Sequence, residues 1–177
     1  MIAAIVLAAG AATRFGAPKQ RLLLAEVLSR LAESPVDEIV VVEGAYPLEL
    51  PSNSLLQGRV RVVECADWER GPGASLRRGL SALAPDVEAA VIVLADGPDL
   101  ASEAVSRVIG SWRTSGGDVV AASYEGARGH PLLIGRAVWN EVPDEGLRMR
   151  DPRLVPCDDL GDPGDVDAPD DLPDRFR

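Results

Sequence analysis

Apolar residues fall into short, nearly continuous runs at residues 2–8, 38–43 and 89–95, with a fourth at 119–124 and a more mixed one at 59–64. Runs of this length, bounded by Gly, Pro or charged residues, predict strands buried on both faces. Between them the period changes. Leu24, Val27, Leu28 and Leu31 follow i, i+3, i+4, i+7 spacing and predict a helix over 21–33, closed by Ser34 and Pro35. Leu76, Leu80 and Leu83 mark one face of a second helix, and Val105, Val108, Ile109 and Trp112 that of a third. Ser102 is placed to cap this third helix, with Glu103 at the positive end of its dipole and Gly116–Gly117 stopping it. Residues 125–131 read as a Gly-containing turn with a return strand at 132–134, residues 136–142 as a short helix, and Val155 and Cys157 as part of a last strand. Gly44–Gly58 reads as a Pro/Ser-rich loop with one helical turn.

Strands alternating with helices predict an α/β fold, with a mostly parallel sheet covered by helices and one antiparallel strand near 119–134. No linker or repeat divides the 177 residues, so the whole chain, 1–177, is expected to form one domain. The segment 158–177 carries eight Asp and reads as a solvated, partly disordered tail. In such sheets ligands bind beyond the carboxyl ends of the strands. That rule selects the loops at 8–19, 43–46, 65–75 and 95–99.

Charge and cysteine content narrow the partners. A net charge of -10 argues against nucleic acid and against an anionic membrane surface. The apolar start has no basic segment before it and is too short to span a bilayer. Two isolated cysteines suit a reducing compartment, and the expected location is the cytoplasm. The sequence does not fix the oligomeric state.

The loop after the first strand carries the first candidate chemistry. It is small and flexible around Gly10 and ends in two cations, Arg14 and Lys19, and Lys19 is the only lysine in the chain. Backbone N–H groups with a guanidinium and an ammonium suit a polyphosphate. The spacing is neither GxxxxGK[ST] nor GxGxxG, and an ordinary strand-to-helix turn with surface cations is the competing reading. Asp96, delivered to the end of the 89–95 strand and followed by Gly97–Pro98, supplies a carboxylate across from that loop. Such a carboxylate suits Mg²⁺, which takes one or two carboxylates together with phosphate oxygens and water, or else a turn-forming role.

Six segments together resemble the MobA-like NTP transferases. LAAGAATRFGAPK resembles LAAGxxxRxGxxK. DWERGPGASLRRGL resembles NPxWxxGxxxSLxxGL, LADGPDL resembles LADxPxL, and GHPLLIG resembles GHPxLhG. DEGLR and DVDAPDDL resemble GDxGxR and DxDTPxDL. Within that family the order is most similar to the molybdenum cofactor cytidylyltransferase branch. The resemblance implies a Rossmann-like three-layer sandwich of the nucleotide-diphospho-sugar transferase type. It implies Mg²⁺-dependent (or Mn²⁺-dependent) transfer of NMP from an NTP to a small phosphorylated acceptor, with release of pyrophosphate. It also implies roles: Leu7, Ala8, Ala9 and Gly10, with Gly71 and Ser75, at the nucleotide; Arg14, Lys19 and Asp96 in catalysis; Asp96 and Asp167 on the metal, with Asp165 nearby; His130 at the acceptor. The alanine of LAAG favours CTP over GTP.

This chain departs from the family pattern after Lys19, where a Gly-x-Pro-Leu segment is missing, and at Cys65–Ala66, Pro143 and Ala168, which replace Asn-Pro, Gly and Thr. Most departures lie on the acceptor side. They leave open a different phosphorylated acceptor, such as a sugar phosphate, or a non-catalytic nucleotide-binding module. An NAD-linked oxidoreductase using Glu43 as its ribose ligand is a further alternative, weakened by the absence of GxGxxG.

Overall fold

The computed structural model describes residues 1–51, 56–148 and 150–177. Residues 52–55 of the Gly44–Gly58 loop, and any helical turn they hold, lie outside the described residues.

Seven strands form one sheet: β1 (Ile2–Leu7), β2 (Glu38–Glu43), β3 (Val60–Glu64), β4 (Ala89–Leu94), β5 (Val119–Tyr124), β6 (Ala127–Gly135) and β7 (Arg153–Pro156). Their spatial order is β3-β2-β1-β4-β6-β5-β7. Only β6 runs against its neighbours, β4 and β5; the remaining pairings are parallel. Residues of β1 and β4 alternate between two apolar layers. Ala4, Val6, Val91 and Val93 face helices α1 (Lys19–Ala32) and α3 (Ser102–Ser115). Ile5, Ala90 and Ile92 face α2 (Pro72–Ser81) and the 3-10 turn at Arg136–Glu141. Burial on both faces is why these strands read as continuous apolar runs. In α1, Leu24, Val27, Leu28 and Leu31 are buried as the spacing predicts, and truncating one such leucine to alanine costs about 2–5 kcal/mol.

Four local expectations need correction. α1 begins at Lys19, two residues early, because Pro18 stops it there and no side chain caps it. The cap of α3 is Ala101, without a side-chain bond, so Ser102 is the first helical residue. The turn expected over 125–131 is only two residues long. Glu125 and Gly126 both hold left-handed φ values (53° and 78°), which closes a tight hairpin. β6 therefore starts at Ala127, and His130 lies in a strand. The acidic tail is not a solvated appendage. Pro163 and Val166 are buried, the Asp99 amide donates to the Pro163 carbonyl, and the Val166 amide donates to the Asp96 carbonyl.

The chain leaves β1 toward β2 and β3, then returns to pair β4 on the other side of β1. That reversal opens a crevice beyond the carboxyl ends of these two strands. Leu7 and Leu94 are register partners, so the loop after β1 and Asp96 after β4 emerge side by side.

Candidate functional site

The segment after β1 is anchored from one side. The Ala8 amide donates to the Val42 carbonyl at 3.0 Å, and the Ala9 carbonyl accepts from Ala45 at 3.0 Å. Gly44 lies so close that a Cβ there would meet Ala9 Cβ and carbonyl oxygen at 2.8 Å. Beyond this anchor the amides of Ala9 through Arg14 donate to no acceptor among the described residues. Gly10 has an ordinary backbone, and a Cβ on it would meet only the Gln20 amide nitrogen, at 3.9 Å. Internal packing thus gives no reason for a glycine at position 10. Close approach of a ligand to this backbone does.

Facing these amides is a small ionic network. Lys19, the first residue of α1, is only 6% exposed. Its Nζ lies 2.9 Å from Asp96 Oδ2 and 3.6 Å from Asp167 Oδ1, and it donates to the Val166 carbonyl. Arg14 reaches Asp167 Oδ2 at 2.6 Å from a largely exposed side chain. Asp165 adds a third carboxyl close by. Burial, and then the charges of Asp96 and Asp167, push its pKa above the ordinary value. The cavity is open to solvent, about 230 Å³ in volume, and is lined by Leu7, Ala8, Gly10, Arg14, Lys19, Gln20, Asp96 and Asp167 among others. Among the described residues no group of three or more His, Cys, Asp or Glu side chains is placed to hold a metal by itself.

A second cavity of about 350 Å³ adjoins the first through Leu7 and Leu94. Its floor is aliphatic (Leu76, Ile92, Leu132 and Leu147) and its rim carries Arg128, His130, Glu145 and Arg148. His130 also borders a smaller cavity with Asp162 and Asp165. Burial, reinforced by the Arg128 charge, lowers the His130 pKa below its usual value.

The structure therefore gathers Leu7, Ala8, Gly10, Arg14, Lys19, Asp96 and Asp167 around one cavity, with Ala9 in the same segment. It places His130 at the adjoining one. Gly71 and Ser75 line neither. Gly71 caps α2 with a left-handed φ of 126° and packs on the Asp144 carbonyl, while Ser75 is buried with its hydroxyl against the Cys65 thiol. Sequence reading missed Gln20 and the tail carbonyl of Val166. Gln20 follows a lysine in a helical pattern and carries no motif signal.

The profile of the MobA-like NTP transferase domain matches residues 4–151. The chain belongs to this family. It is a nucleotidyltransferase, and the NAD-linked alternative falls with that assignment. Among solved structures, this MobA-like chain is similar to Rv0371c from Mycobacterium tuberculosis H37Rv, with 27% identity, a TM-score of 0.77, and coverage of 97% of this chain and 95% of that one. A structure of Rv0371c in complex with manganese matches at 25% identity and TM-score 0.71, covering 96% and 95%. The 4-diphosphocytidyl-2C-methyl-D-erythritol synthase from Anaerococcus prevotii DSM 20548 shares the fold at 16% identity and TM-score 0.68, covering 97% and 94%. Comparison with curated protein sequences found no significant match. No helix among the described residues is long and apolar enough to cross a membrane.

Proposed function

We propose that this MobA-like transferase moves CMP, in preference to GMP, from the nucleoside triphosphate to the terminal phosphate of a small acceptor of the molybdopterin type, with release of pyrophosphate. The observation that carries the reading is the row of unpaired amides, Ala9 to Arg14, opposite the Lys19–Asp96–Asp167 cluster. Donors without partners on one side and paired charges on the other suit a bound triphosphate.

In this reading Leu7, Ala8 and Ala9 seat the nucleoside, and Gly10 lets the backbone approach the phosphates. Arg14 and Lys19 take up the charge that grows on the leaving pyrophosphate. Asp96 and Asp167 offer hard oxygens, the donor set that Mg²⁺ or Mn²⁺ accepts alongside phosphate oxygens and water. The manganese complex of Rv0371c supports a divalent ion here. Such an ion adds positive charge at the phosphates when bound. An acceptor phosphate oxygen forms the new bond to Pα as the bond from Pα to the bridging oxygen breaks, and the departing pyrophosphate carries away the electron pair. The protein's contribution is alignment and charge stabilisation. Gly71 and Ser75 act from behind, shaping the start of α2 beside the nucleoside.

Two features support the choice of base and acceptor. Gly44 holds Ala9 in place from behind, which limits room for a purine. The larger cavity pairs an aliphatic floor with Arg128 and Arg148, which suits a flat ring bearing a phosphate better than a polyol. His130 stands at this acceptor cavity. The test is pyrophosphate release with CTP and with GTP, each with and without molybdopterin and with Mg²⁺ or Mn²⁺. The expected result is acceptor-dependent release with CTP. Faster release with GTP overturns the choice of base, and release stimulated only by a sugar phosphate overturns the choice of acceptor.

A further inference from the structure

Gln20 is buried, at 5% exposure, and lines the same cavity as Gly10. Its Nε2 donates to the Gly10 carbonyl at 2.8 Å. Its Oε1 is the one buried side-chain oxygen or nitrogen among the described residues that has no partner. This arrangement is poor for stability. A buried acceptor without a donor carries its full desolvation cost, and an apolar side chain of the same shape would avoid it. The Gly10 carbonyl gains little in return, because Gly10 is exposed and water could satisfy it. The bond does set the direction of one peptide plane. In a trans peptide the C=O and the following N–H point to opposite sides, so holding the Gly10 carbonyl on Gln20 turns the Ala11 amide away from the helix.

We propose that Gln20 is a positioning residue for the polyphosphate, fixing the Gly10–Ala11 peptide and with it the course of the backbone that lines the cavity at Gly10 and from Ala12 to Arg14. This rests on reading residues 9–14 as the polyphosphate cradle. Gln20 acts through its bond to the Gly10 carbonyl. A side chain kept for internal packing would make both of its hydrogen bonds. One kept for orientation needs only the bond to Gly10, and that is the bond it makes.

The test uses Gln20→Met and Gln20→Leu in the full chain, with inorganic triphosphate plus Mg²⁺ as a probe that carries neither base nor ribose. Both variants are expected to melt at or above the wild-type temperature. Triphosphate should bind about tenfold more weakly, and the KM for CTP should rise by a similar factor with kcat nearly unchanged, the loss of roughly one oriented hydrogen bond to a charged group. Triphosphate affinity within about twofold of wild type in both variants overturns the proposal. So does a parallel loss of melting temperature and affinity, which marks a purely structural side chain. Failure of the wild-type chain itself to bind triphosphate removes the cradle reading and this inference with it. Wild-type binding with unaffected variants removes only the role of Gln20.

Discussion

Replacing Lys19 by methionine keeps most of the length and the apolar stem of the side chain and removes the ammonium with its charge and hydrogen-bond donors. In the structure that ammonium lies 2.9 Å from Asp96 and 3.6 Å from Asp167, on a side chain 7% exposed. Without it Asp96 loses the cation paired with it, and Asp167 keeps only the exposed Arg14. Breaking a fully buried pair by removing one partner costs about 3–5 kcal/mol. Here the Asp96 and Asp167 side chains keep 24% and 33% of their exposure, so water compensates in part. The discounted loss is about 1–3 kcal/mol. For a chain of this size 1 kcal/mol moves Tm by about 2–4 °C, so Lys19→Met should melt roughly 3–10 °C lower in chelator-treated buffer. Added Mg²⁺ or Mn²⁺ should raise the Tm of the variant more than that of wild type, because the ammonium no longer competes for the same oxygens. Activity should fall further than stability. Losing a charged hydrogen bond worth about 1.5–3 kcal/mol lowers kcat/KM for NTP by roughly ten- to a hundredfold. Calorimetry with and without chelator, followed by a pyrophosphate-release assay, measures both. Melting indistinguishable from wild type in chelator, with no extra response to metal, would refute the claim that Lys19 neutralises this carboxylate pair.

Arg14→Ala removes an exposed ion pair, worth about 0–1 kcal/mol, so Tm should hold while KM for NTP rises; an unchanged KM in steady-state kinetics argues against contact with the phosphates. Asp96→Asn keeps the shape of the side chain and removes its charge, so metal-dependent pyrophosphate release should drop roughly a hundredfold, about 3 kcal/mol, with a native circular dichroism spectrum. Gly73→Ala would place a Cβ 1.7 Å from the Pro143 carbonyl oxygen, backbone against backbone. It should cost about 3 kcal/mol by denaturant titration, and a neutral result would mean that the 143–146 loop moves freely. His130 has a folded-state pKa below the ordinary imidazole value of 6.5, through burial and then the charge of Arg128. The unfolded chain therefore binds the proton more readily, so stability falls as pH drops through 6.5 toward the lower folded value. His130→Gln should flatten that slope, and parallel stability–pH curves for the two proteins would contradict the burial of a neutral imidazole.

Much of the fold was legible because burial on both faces leaves a simple trace. β2 and β5 match their apolar runs residue for residue, and β1 and β4 differ by one residue. The start of β6 was hidden because Gly129 and Pro131 punctuate it as a loop would, while the true turn is two residues with left-handed backbone. Lys19, Asp96 and Asp167 were legible as candidates, the last only through motif order. Their meeting depends on the tail, whose composition points to solvent. Two buried residues, Pro163 and Val166, a few backbone bonds, and Arg175 on the Pro98 carbonyl and Asp99 hold it against the β4 loop, too sparse a pattern to register as periodicity. Gln20 was invisible for a different reason: its importance lies in a bond to one carbonyl and in a missing partner, neither of which a sequence displays.

Paired opposite charges define the resting cavity. Arg14 and Lys19 are paired with Asp96 and Asp167, with the Asp165 carboxyl close by, and the lysine is almost wholly desolvated. A free triphosphate entering alone would be drawn to the cations and repelled by the carboxylates it displaced. A divalent ion entering alone would meet the reverse. Only the two together replace both kinds of partner, because phosphate oxygens take over the cations while the metal takes over the carboxylates. In the proposed reading the network thus opposes each component singly far more than the pair, and nucleotide and metal affinities are expected to depend on one another. Asp167 and the Val166 carbonyl lie on the tail, whose Val166 amide donates to the Asp96 carbonyl at 3.1 Å, so in this reading the tail shares that coupling.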